Sequence, residues 1–225
     1  FTCLCMGLEE QGGLTSGKTG AEVTVVGRIG EYEITKAELE NIKNNPKEIE
    51  ERFYKDLEFG TGRQRGIIGA GTNRMNIYTV RKASQGLANY LLKTDDNVKK
   101  QGIVIAYDCR HKSIEFSLEA AKVFAGNGIR AYLFDELRPT PELSFAVRHL
   151  KAAAGIVVTA SHNPSTYNGY KVYGEDGGQL SVSYTNEVIK EINNLEDIAS
   201  INIIEKDEAI EKGLLLYVGK EIDDV

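Results

Sequence analysis

A polar stretch that follows a predicted buried strand carries the residues best suited to chemistry. It holds a hydroxyl at Ser161, an imidazole at His162 and, nine residues further on, an ammonium at Lys171. A serine released from a buried strand into a turn of asparagine and proline is held exposed and fixed, as a nucleophile or phosphoryl carrier requires. His162 could exchange protons or donate to an anion, and Lys171 could offset phosphate charge or act as an acid or base.

The tetrapeptide Ser161-His-Asn-Pro164 is also an ordinary surface-turn sequence, since Asn and Pro favour turns in any loop. Taken alone it does not separate a catalytic loop from a plain turn. The elements around it are therefore needed to decide.

Strands and helices alternate through the middle of the chain. Apolar runs and helical periodicity predict, in order, a strand at Gly102–Tyr107, a helix at Ser113–Asn127, a strand at Ile129–Phe134, a helix at Thr140–Leu150 and a strand at Ala154–Thr159. This alternation predicts a layered α/β/α domain with a mostly parallel mixed sheet. Because ligands bind beyond the carboxyl ends of such strands, the loops after Tyr107 and Thr159 are expected to form the site.

The flanking segments have weaker patterns. They predict two short helices from Thr35 broken at Pro46, a Gly-rich loop from Phe59 to Gly71, a helix capped by Asn76, a helix around Val188, a short helical piece near Glu208 and a strand at Leu214–Val218.

The serine loop resembles the active-serine loop of the α-D-phosphohexomutases, the phosphoglucomutase and phosphomannomutase family. The resemblance rests on Thr159–Pro164 followed by Tyr167–Tyr173. Supporting stretches occur in the family's order at Phe59–Thr61 with Arg65-Gly66, Gly71–Asn76, Tyr107–Arg110, Thr140–Ser144 and Gly177–Gln179. The similarity runs from about Lys47 to the C-terminus.

This resemblance implies reversible phosphate transfer between the 1- and 6-hydroxyls of a hexose, through a bisphosphorylated sugar and a phosphoserine. The residues implied as catalytic are Ser161, His162, Lys171 and Arg65, and those implied as substrate-binding are Arg65, Lys171, Asn168 and Gly169. Mg²⁺ is the implied cofactor, with Ser161 as one ligand and the others outside this chain, and hexose 1,6-bisphosphate is the implied activator.

The same resemblance suggests a domain division. We expect a divergent lead-in and helix at 1–46, domain I with the serine loop at 47–200, and a linker with the truncated start of domain II at 201–225. The family's metal, sugar-selecting and phosphate-binding loops are not found before Val225, so we expect a fragment that is inactive alone. Glucose phosphate is favoured over mannose phosphate, and a non-catalytic remnant or sugar-phosphate-binding module is the alternative.

Two details depart from the family pattern or leave a role open. The family's first loop has small and apolar residues before Arg-Gly, whereas Arg63 and Gln64 precede Arg65 here, and a bulky charge there could displace Arg65. Asp108 and Arg110 could form a bidentate pair that positions the serine loop, or a plain structural ion pair.

Composition excludes other classes of function. The 225 residues carry 33 acidic and 27 basic side chains, interspersed, for a net charge of −6, which disfavours nucleic acid as a partner. No apolar run approaches the ~20 residues of a membrane helix, so a cytoplasmic protein is expected, of unknown oligomeric state.

Residues 12–19 match the pattern of a nucleotide-binding P-loop. A nucleotide-binding function is a remote alternative, because a β-branched run follows these residues where the helix of a P-loop should begin.

Overall fold

One seven-stranded sheet with helices on both faces forms the described part of this computed structural model, residues 29–195 and 197–225. The helices are α1 Ile29–Ile42, α2 Pro46–Phe53, α3 Ile77–Thr94, α4 Val98–Gln101, α5 Ser113–Gly126, α6 Thr140–His149, α7 Val182–Asn193, α8 Lys206–Glu211 and α9 Lys220–Asp223. The strands are β1 Phe59–Gly60, β2 Arg63–Ile67, β3 Ile103–Tyr107, β4 Ala131–Phe134, β5 Ala154–Val158, β6 Tyr167–Gly174 and β7 Leu215–Val218. The P-loop-like residues 12–19 lie outside the described residues.

Four parallel strands in the order β5-β3-β4-β7 form the centre and one side of the sheet. The chain passes from β3 through α5 to β4, and then back past β3 through α6 to β5. Because such crossovers are right-handed, the reversal of direction places α5 and α6 on opposite faces. Every residue of β3 and β5 is buried, as expected for strands covered on both faces.

Two apolar cores lie on the two faces of the sheet. The larger packs α3, α5 and α8 against side chains such as Ile105 and Ile156, and the smaller packs α6 and α9 against Val104 and Val157. Each buried side chain of this kind contributes about 1.5–3 kcal/mol by its removal from water. The layered α/β/α architecture with a mixed sheet is thereby confirmed.

A β-hairpin, β1–β2, replaces the loop that the sequence predicts after Phe59. Its two-residue turn has positive φ at both Thr61 (48°) and Gly62 (68°), the conformation of a type I′ turn. The sequence of β2 shows no alternation of apolar and polar residues, because its inward-facing side chain is Gln64, a polar residue that is 6% exposed. A polar residue in a buried strand position gives no apolar signal.

A second strand unforeseen in the polar stretch is β6, which pairs antiparallel with β5 on one side and with β2 on the other. Lys171, Asn168 and Gly169 therefore lie on a central strand and not in a loop. Only residues 159–166 form the connection between β5 and β6.

The C-terminal segment contributes a strand to the same sheet. β7 pairs in parallel with β4, with Leu215 opposite Ala131 and Val218 opposite Phe134. Leu215 and Val218 are buried, and α8 packs on α5. Residues 206–218 thus pack on the body formed by the preceding residues, and the division at residue 201 stays a prediction.

The N-terminal helices are also joined to this body. α1 begins at Ile29, earlier than the predicted Thr35, and Glu38 on α1 accepts hydrogen bonds from Arg52 Nη1 and from the backbone N–H of Ala70. Within the described segments, no helix has both the length and the apolar character needed to cross a membrane.

Candidate active site

The serine loop lies at the point where the connections of the sheet diverge. After β3 the chain turns toward β4, and after β5 it turns the other way toward β6. Connections that leave neighbouring strands in opposite directions open a crevice at the carboxyl edge of the sheet, where ligands bind in folds of this kind. Ser161 lies three residues beyond the end of β5, at this edge.

Ser161 is exposed and held in an unusual backbone conformation. Its φ is 56°, in the left-handed region that non-glycine residues rarely adopt and that costs on the order of 1 kcal/mol. Its N–H donates to the Thr159 hydroxyl at 2.9 Å, and the Asn163 N–H donates to the Ala160 carbonyl at 3.2 Å. These bonds fix the backbone and leave the Ser161 hydroxyl at the surface.

Arg110, from the loop after β3, holds the serine loop by its backbone. Its guanidinium donates to the carbonyls of Ser161 at 2.5 Å, Asn163 at 2.7 Å, Pro164 at 2.9 Å and Tyr167 at 3.1 Å. A planar guanidinium with several N–H donors can satisfy such a ring of carbonyls. Arg110 therefore sets the shape of the loop around Ser161.

Asp108 joins the two loops without forming the bidentate pair with Arg110. The closest contact between the two side chains is 3.8 Å, from Arg110 Nε to Asp108 Oδ2. Asp108 instead accepts hydrogen bonds from the hydroxyls of Thr159 and Ser113 and from the Arg110 N–H. The bidentate interpretation is wrong because the guanidinium is occupied by carbonyls.

Asn168 is fully buried, and both ends of its amide have protein partners. Its Nδ2 donates to the His111 carbonyl at 2.8 Å and to the Ser113 hydroxyl at 3.0 Å, while its Oδ1 accepts from the Gly169 N–H at 2.7 Å. In this conformation Asn168 positions the loop after β3, and its amide is not presented to a ligand.

Gly169 is required by the close approach of β2 and of the residue that follows β5. A Cβ added at this residue would lie 2.7 Å from the Thr159 carbonyl oxygen and 3.0 Å from that of Gln64. The structure thus gives a packing reason for the glycine, whereas the family resemblance implies a role in substrate binding.

Three basic side chains lie on one face of β2 and β6. Arg63 and Arg65 are two residues apart on β2, and Lys171 on β6 is directly opposite Arg63, so all three side chains project from the same face. Both arginines are exposed, and Arg65 Nη1 donates to Asn163 Oδ1 at 3.2 Å. This bond places Arg65 against the serine loop.

The pKa of Lys171 is lowered from its ordinary value. Partial burial is the largest cause, followed by the charges of Arg63 and Arg65, while the Asp108 carboxylate acts in the opposite direction. A lysine with a lowered pKa is better able to exchange a proton near neutral pH.

His162 lies beside the serine hydroxyl, with Nδ1 3.4 Å from Ser161 Oγ. That distance is at the outer limit of a hydrogen bond, and both side chains are exposed. A small rotation would bring the imidazole and hydroxyl into proton-transfer range.

The unusual residues before Arg65 do not displace it. Gln64 points to the opposite face, where its Nε2 donates to the Leu57 carbonyl at 3.1 Å and its buried Oε1 has no hydrogen-bond partner among the described residues. Arg63 occupies a regular strand position, and Arg65 still reaches Asn163.

No group of three or more His, Cys, Asp or Glu side chains suited to a metal ion occurs in the described part of the chain. Mg²⁺ prefers oxygen ligands, and at this edge an oxygen of a phosphorylated Ser161 would supply one. The surrounding side chains are basic, so they fit the phosphate and not the cation.

Of the predicted residues, His162 lies beside Ser161, Arg65 contacts the serine loop through Asn163, and Lys171 lies on the same face of the sheet as Arg65. The sequence indicates that Arg110 could position the loop, but it does not reveal that Arg110 donates to carbonyls, that the Thr159 hydroxyl accepts from the Ser161 N–H, or that Asn163 accepts from Arg65. Their partners are backbone atoms or residues distant in sequence, and no spacing rule reveals such contacts.

Known proteins support this architecture. Residues 56–199, more than half of the chain, match the family model of phosphoglucomutase/phosphomannomutase, alpha/beta/alpha domain I. A phosphoglucomutase from Staphylococcus haemolyticus (strain JCSC1435) is 47% identical over 163 residues, which cover 72% of this chain and 29% of the relative. A phosphoglucomutase from Staphylococcus aureus (strain bovine RF122 / ET3-1) is 48% identical over 157 residues, which cover 69% of this chain and 28% of the relative. The chain thus spans under a third of the length of these relatives.

Solved structures agree. A protein from Thermus thermophilus assigned as a phosphomannomutase is 31% identical with a TM-score of 0.55, covering 61% of this chain and 30% of that one. A phosphoglucomutase/phosphomannomutase family protein from Burkholderia thailandensis, at 22% identity and a TM-score of 0.52, covers 71% and 32% and shares the fold. The chain belongs to the phosphoglucomutase/phosphomannomutase family and carries its α/β/α domain I.

Proposed function

We propose that this chain is the phosphoserine-bearing domain of a hexose phosphomutase that interconverts hexose 1-phosphate and hexose 6-phosphate through a bisphosphate intermediate. The observation that carries the proposal is the exposed Ser161 hydroxyl on a rigid loop at the carboxyl edge of the sheet, with His162, Arg65 and Lys171 near it. Phosphoryl transfer asks mainly for such positioning and for positive charge around the phosphate oxygens.

In the transfer from a bisphosphorylated sugar, a bond forms between Ser161 Oγ and phosphorus, and the bond from phosphorus to the sugar oxygen breaks. The serine proton passes to His162 Nδ1, 3.4 Å away, or to Lys171 when that amine is neutral. The sugar oxygen takes up a proton as it leaves. Arg65 and protonated Lys171 stabilise the negative charge on the phosphate oxygens.

The Mg²⁺ of this proposal would be held by an oxygen of phosphorylated Ser161 and by ligands outside the described residues. When bound, it would neutralise phosphate charge at the serine. Binding, orientation and proton transfer are the parts that this chain's own residues supply.

The proposed substrate is a hexose phosphate, with glucose favoured and mannose the second choice, and hexose 1,6-bisphosphate as activator. Two observations support glucose: residues 69–76 resemble the glucose-leaning branch of the family, and the Staphylococcus relatives are named phosphoglucomutase. The metabolic reaction suits a cytoplasmic protein.

The test is phosphorylation of Ser161. The protein, expressed from its complete reading frame, is incubated with glucose 1,6-bisphosphate and Mg²⁺, and its phosphopeptides are mapped. We expect phosphate on Ser161, and we expect Ser161→Ala to abolish it while leaving the melting temperature nearly unchanged, because the exposed hydroxyl fills no cavity. Ser165→Ala is the matched control and should behave as the parent. Phosphate on Ser165 or Thr166, with normal flux in Ser161→Ala, would refute the assignment.

A second candidate is a sugar-phosphate-binding module without turnover. It is favoured by the position of Arg65 and Lys171 on one face of the sheet, because two cations there suit binding of a phosphate without requiring its transfer. Binding of glucose 1-phosphate with no mutase flux from the protein expressed from its complete reading frame would support it, and measurable flux from that protein would exclude it.

A further inference from the structure

Arg63 is the basic residue that neither the family pattern nor the proposed mechanism uses. Within the part of the chain that the structure describes, no hydrogen bond or ion pair reaches its guanidinium, and it is exposed. By contrast, Arg52, Arg81 and Arg138 each form an ion pair with a carboxylate.

Arg63 and Lys171 lie close together, directly opposite each other on β2 and β6. In the ladder between β2 and β6, the Val172 N–H donates to Gly62 O and the Ile68 N–H to Thr166 O, each at 2.8 Å. These bonds fix the alternation, so the Arg63–Lys171 pair falls at a site without direct hydrogen bonds, where facing side chains are nearest and the Cα atoms are about 4.5 Å apart. Like charges directly opposite in a ladder are unfavourable.

The Asp108 carboxylate offsets this positive charge only in part, since the pKa of Lys171 is lowered despite it. Asp108 acts on Lys171, but its carboxylate oxygens already accept hydrogen bonds from Thr159, Ser113 and the Arg110 N–H. Arg63 and Lys171 face each other, and Arg65 lies two residues from Arg63 on β2. The three positive charges are therefore not fully neutralised by protein groups, and a bound dianion would neutralise them.

We propose that Arg63, Arg65 and Lys171 form one phosphate-binding face, in which Arg63 is an additional phosphate-binding residue. The inference rests on the proposed function for its ligand class, a phosphate dianion. That dianion comes either from phosphorylated Ser161 or from a sugar phosphate. Arginine is suited to this task because its fork of N–H donors matches two phosphate oxygens.

The experiment measures inorganic phosphate binding by the rise in melting temperature over a phosphate titration at constant ionic strength, since a ligand that binds only the folded state stabilises it by mass action. We expect Arg63→Gln to raise the dissociation constant on the order of tenfold, as loss of one charge-assisted hydrogen bond implies. Arg63→Lys should retain most of the affinity. Lys100→Gln removes an exposed charge from α4, at the opposite end of β3, and should bind as the parent does.

Unchanged phosphate affinity in Arg63→Gln, or an equal loss in Lys100→Gln, would overturn the proposal. The source of the phosphate is resolved on the protein phosphorylated at Ser161. If the phosphoserine occupies the face, added phosphate no longer raises the melting temperature. If the face instead takes the phosphate group of a sugar phosphate, glucose 6-phosphate still binds to the phosphorylated protein with the same dependence on Arg63. Both results support the face.

Failure here is distinguishable from failure of the proposed function. If Ser161 is phosphorylated normally and Arg63→Gln binds phosphate as the parent does, the phosphomutase proposal is supported and the proposed role of Arg63 is refuted. If Arg63-dependent phosphate binding is found but Ser161 never takes up phosphate, the binding face stands and the phosphoryl-carrier assignment falls.

Discussion

Replacing Arg110 tests whether the serine loop is held by a single guanidinium. Arg110→Lys keeps the charge but cannot donate to four carbonyls at once, because an ammonium is a compact point donor. Two of the four bonds, those to Asn163 and Tyr167, are part-buried, while water can replace the two exposed ones. At about 1–1.5 kcal/mol for each part-buried bond, the substitution costs about 2–3 kcal/mol of the free energy of unfolding.

For a domain of this size, that loss lowers the melting temperature by about 5–10 °C. The rate of Ser161 phosphorylation should fall further than stability alone explains, by about 10- to 100-fold, because a displacement of ~1 Å is enough to misalign the hydroxyl. Thermal unfolding, the phosphorylation rate and amide hydrogen exchange of residues 161–167 are the measurements.

Arg148→Lys is the matched control, since Arg148 donates from Nε to one carbonyl of its own helix, that of Ser144 at 3.2 Å. It should leave both the melting temperature and the phosphorylation rate near the parent values. If Arg110→Lys has the melting temperature of the parent and accepts phosphate at the parent rate, the guanidinium does not set the shape of the loop and the reasoning is refuted.

Two further predictions concern β6. Because the pKa of Lys171 is lowered in the fold, the unfolded chain binds more protons between that lowered pKa and the ordinary lysine value of about 10.4, so stability rises with pH across this interval. Lys171→Gln should exceed the parent in urea stability at pH 7 and lose the advantage as the pH rises, and a pH-independent difference would contradict this. Tyr170 and Ser84 share a buried hydrogen bond of 3.0 Å, so Tyr170→Phe or Ser84→Ala alone should cost about 1–3 kcal/mol by leaving one hydroxyl unpaired. The double variant should cost less than the sum in a denaturation-based mutant cycle, and strict additivity would show that the two hydroxyls are not coupled.

The sequence predicts those elements whose signals are local. The helix capped by Asn76 is confirmed by a capping box with Thr79, and the helix at Ser113 begins at that residue and ends within one of the predicted end. The layered fold follows from buried apolar runs such as β3, whose five residues are all buried.

The elements that escaped prediction are built from polar residues or from partners distant in the chain. β2 reads Arg-Gln-Arg-Gly-Ile, and its inward side chain is Gln64, so no hydrophobic alternation marks it as a strand. The strand at Leu215–Val218 was foreseen, but its pairing with β4 depends on the assembled sheet. Likewise, the exposed turn at Ser161 is predicted from the sequence, whereas the four carbonyl contacts of Arg110 exist only once two loops meet.

The contacts of the serine loop also have a consequence for folding order. The β5–β6 hairpin is local, but Arg110 reaches Ser161 across 51 positions of sequence and Arg65 reaches Asn163 across 98. Loop-closure entropy must be overcome before such distant contacts form, so they are expected late in folding. A chain with a formed hairpin but an incomplete sheet would present the serine without its clamp or its flanking cations. Acceptance of phosphate at Ser161 would then report that the sheet is complete from β2 to β3, which makes the reaction itself a test of native topology.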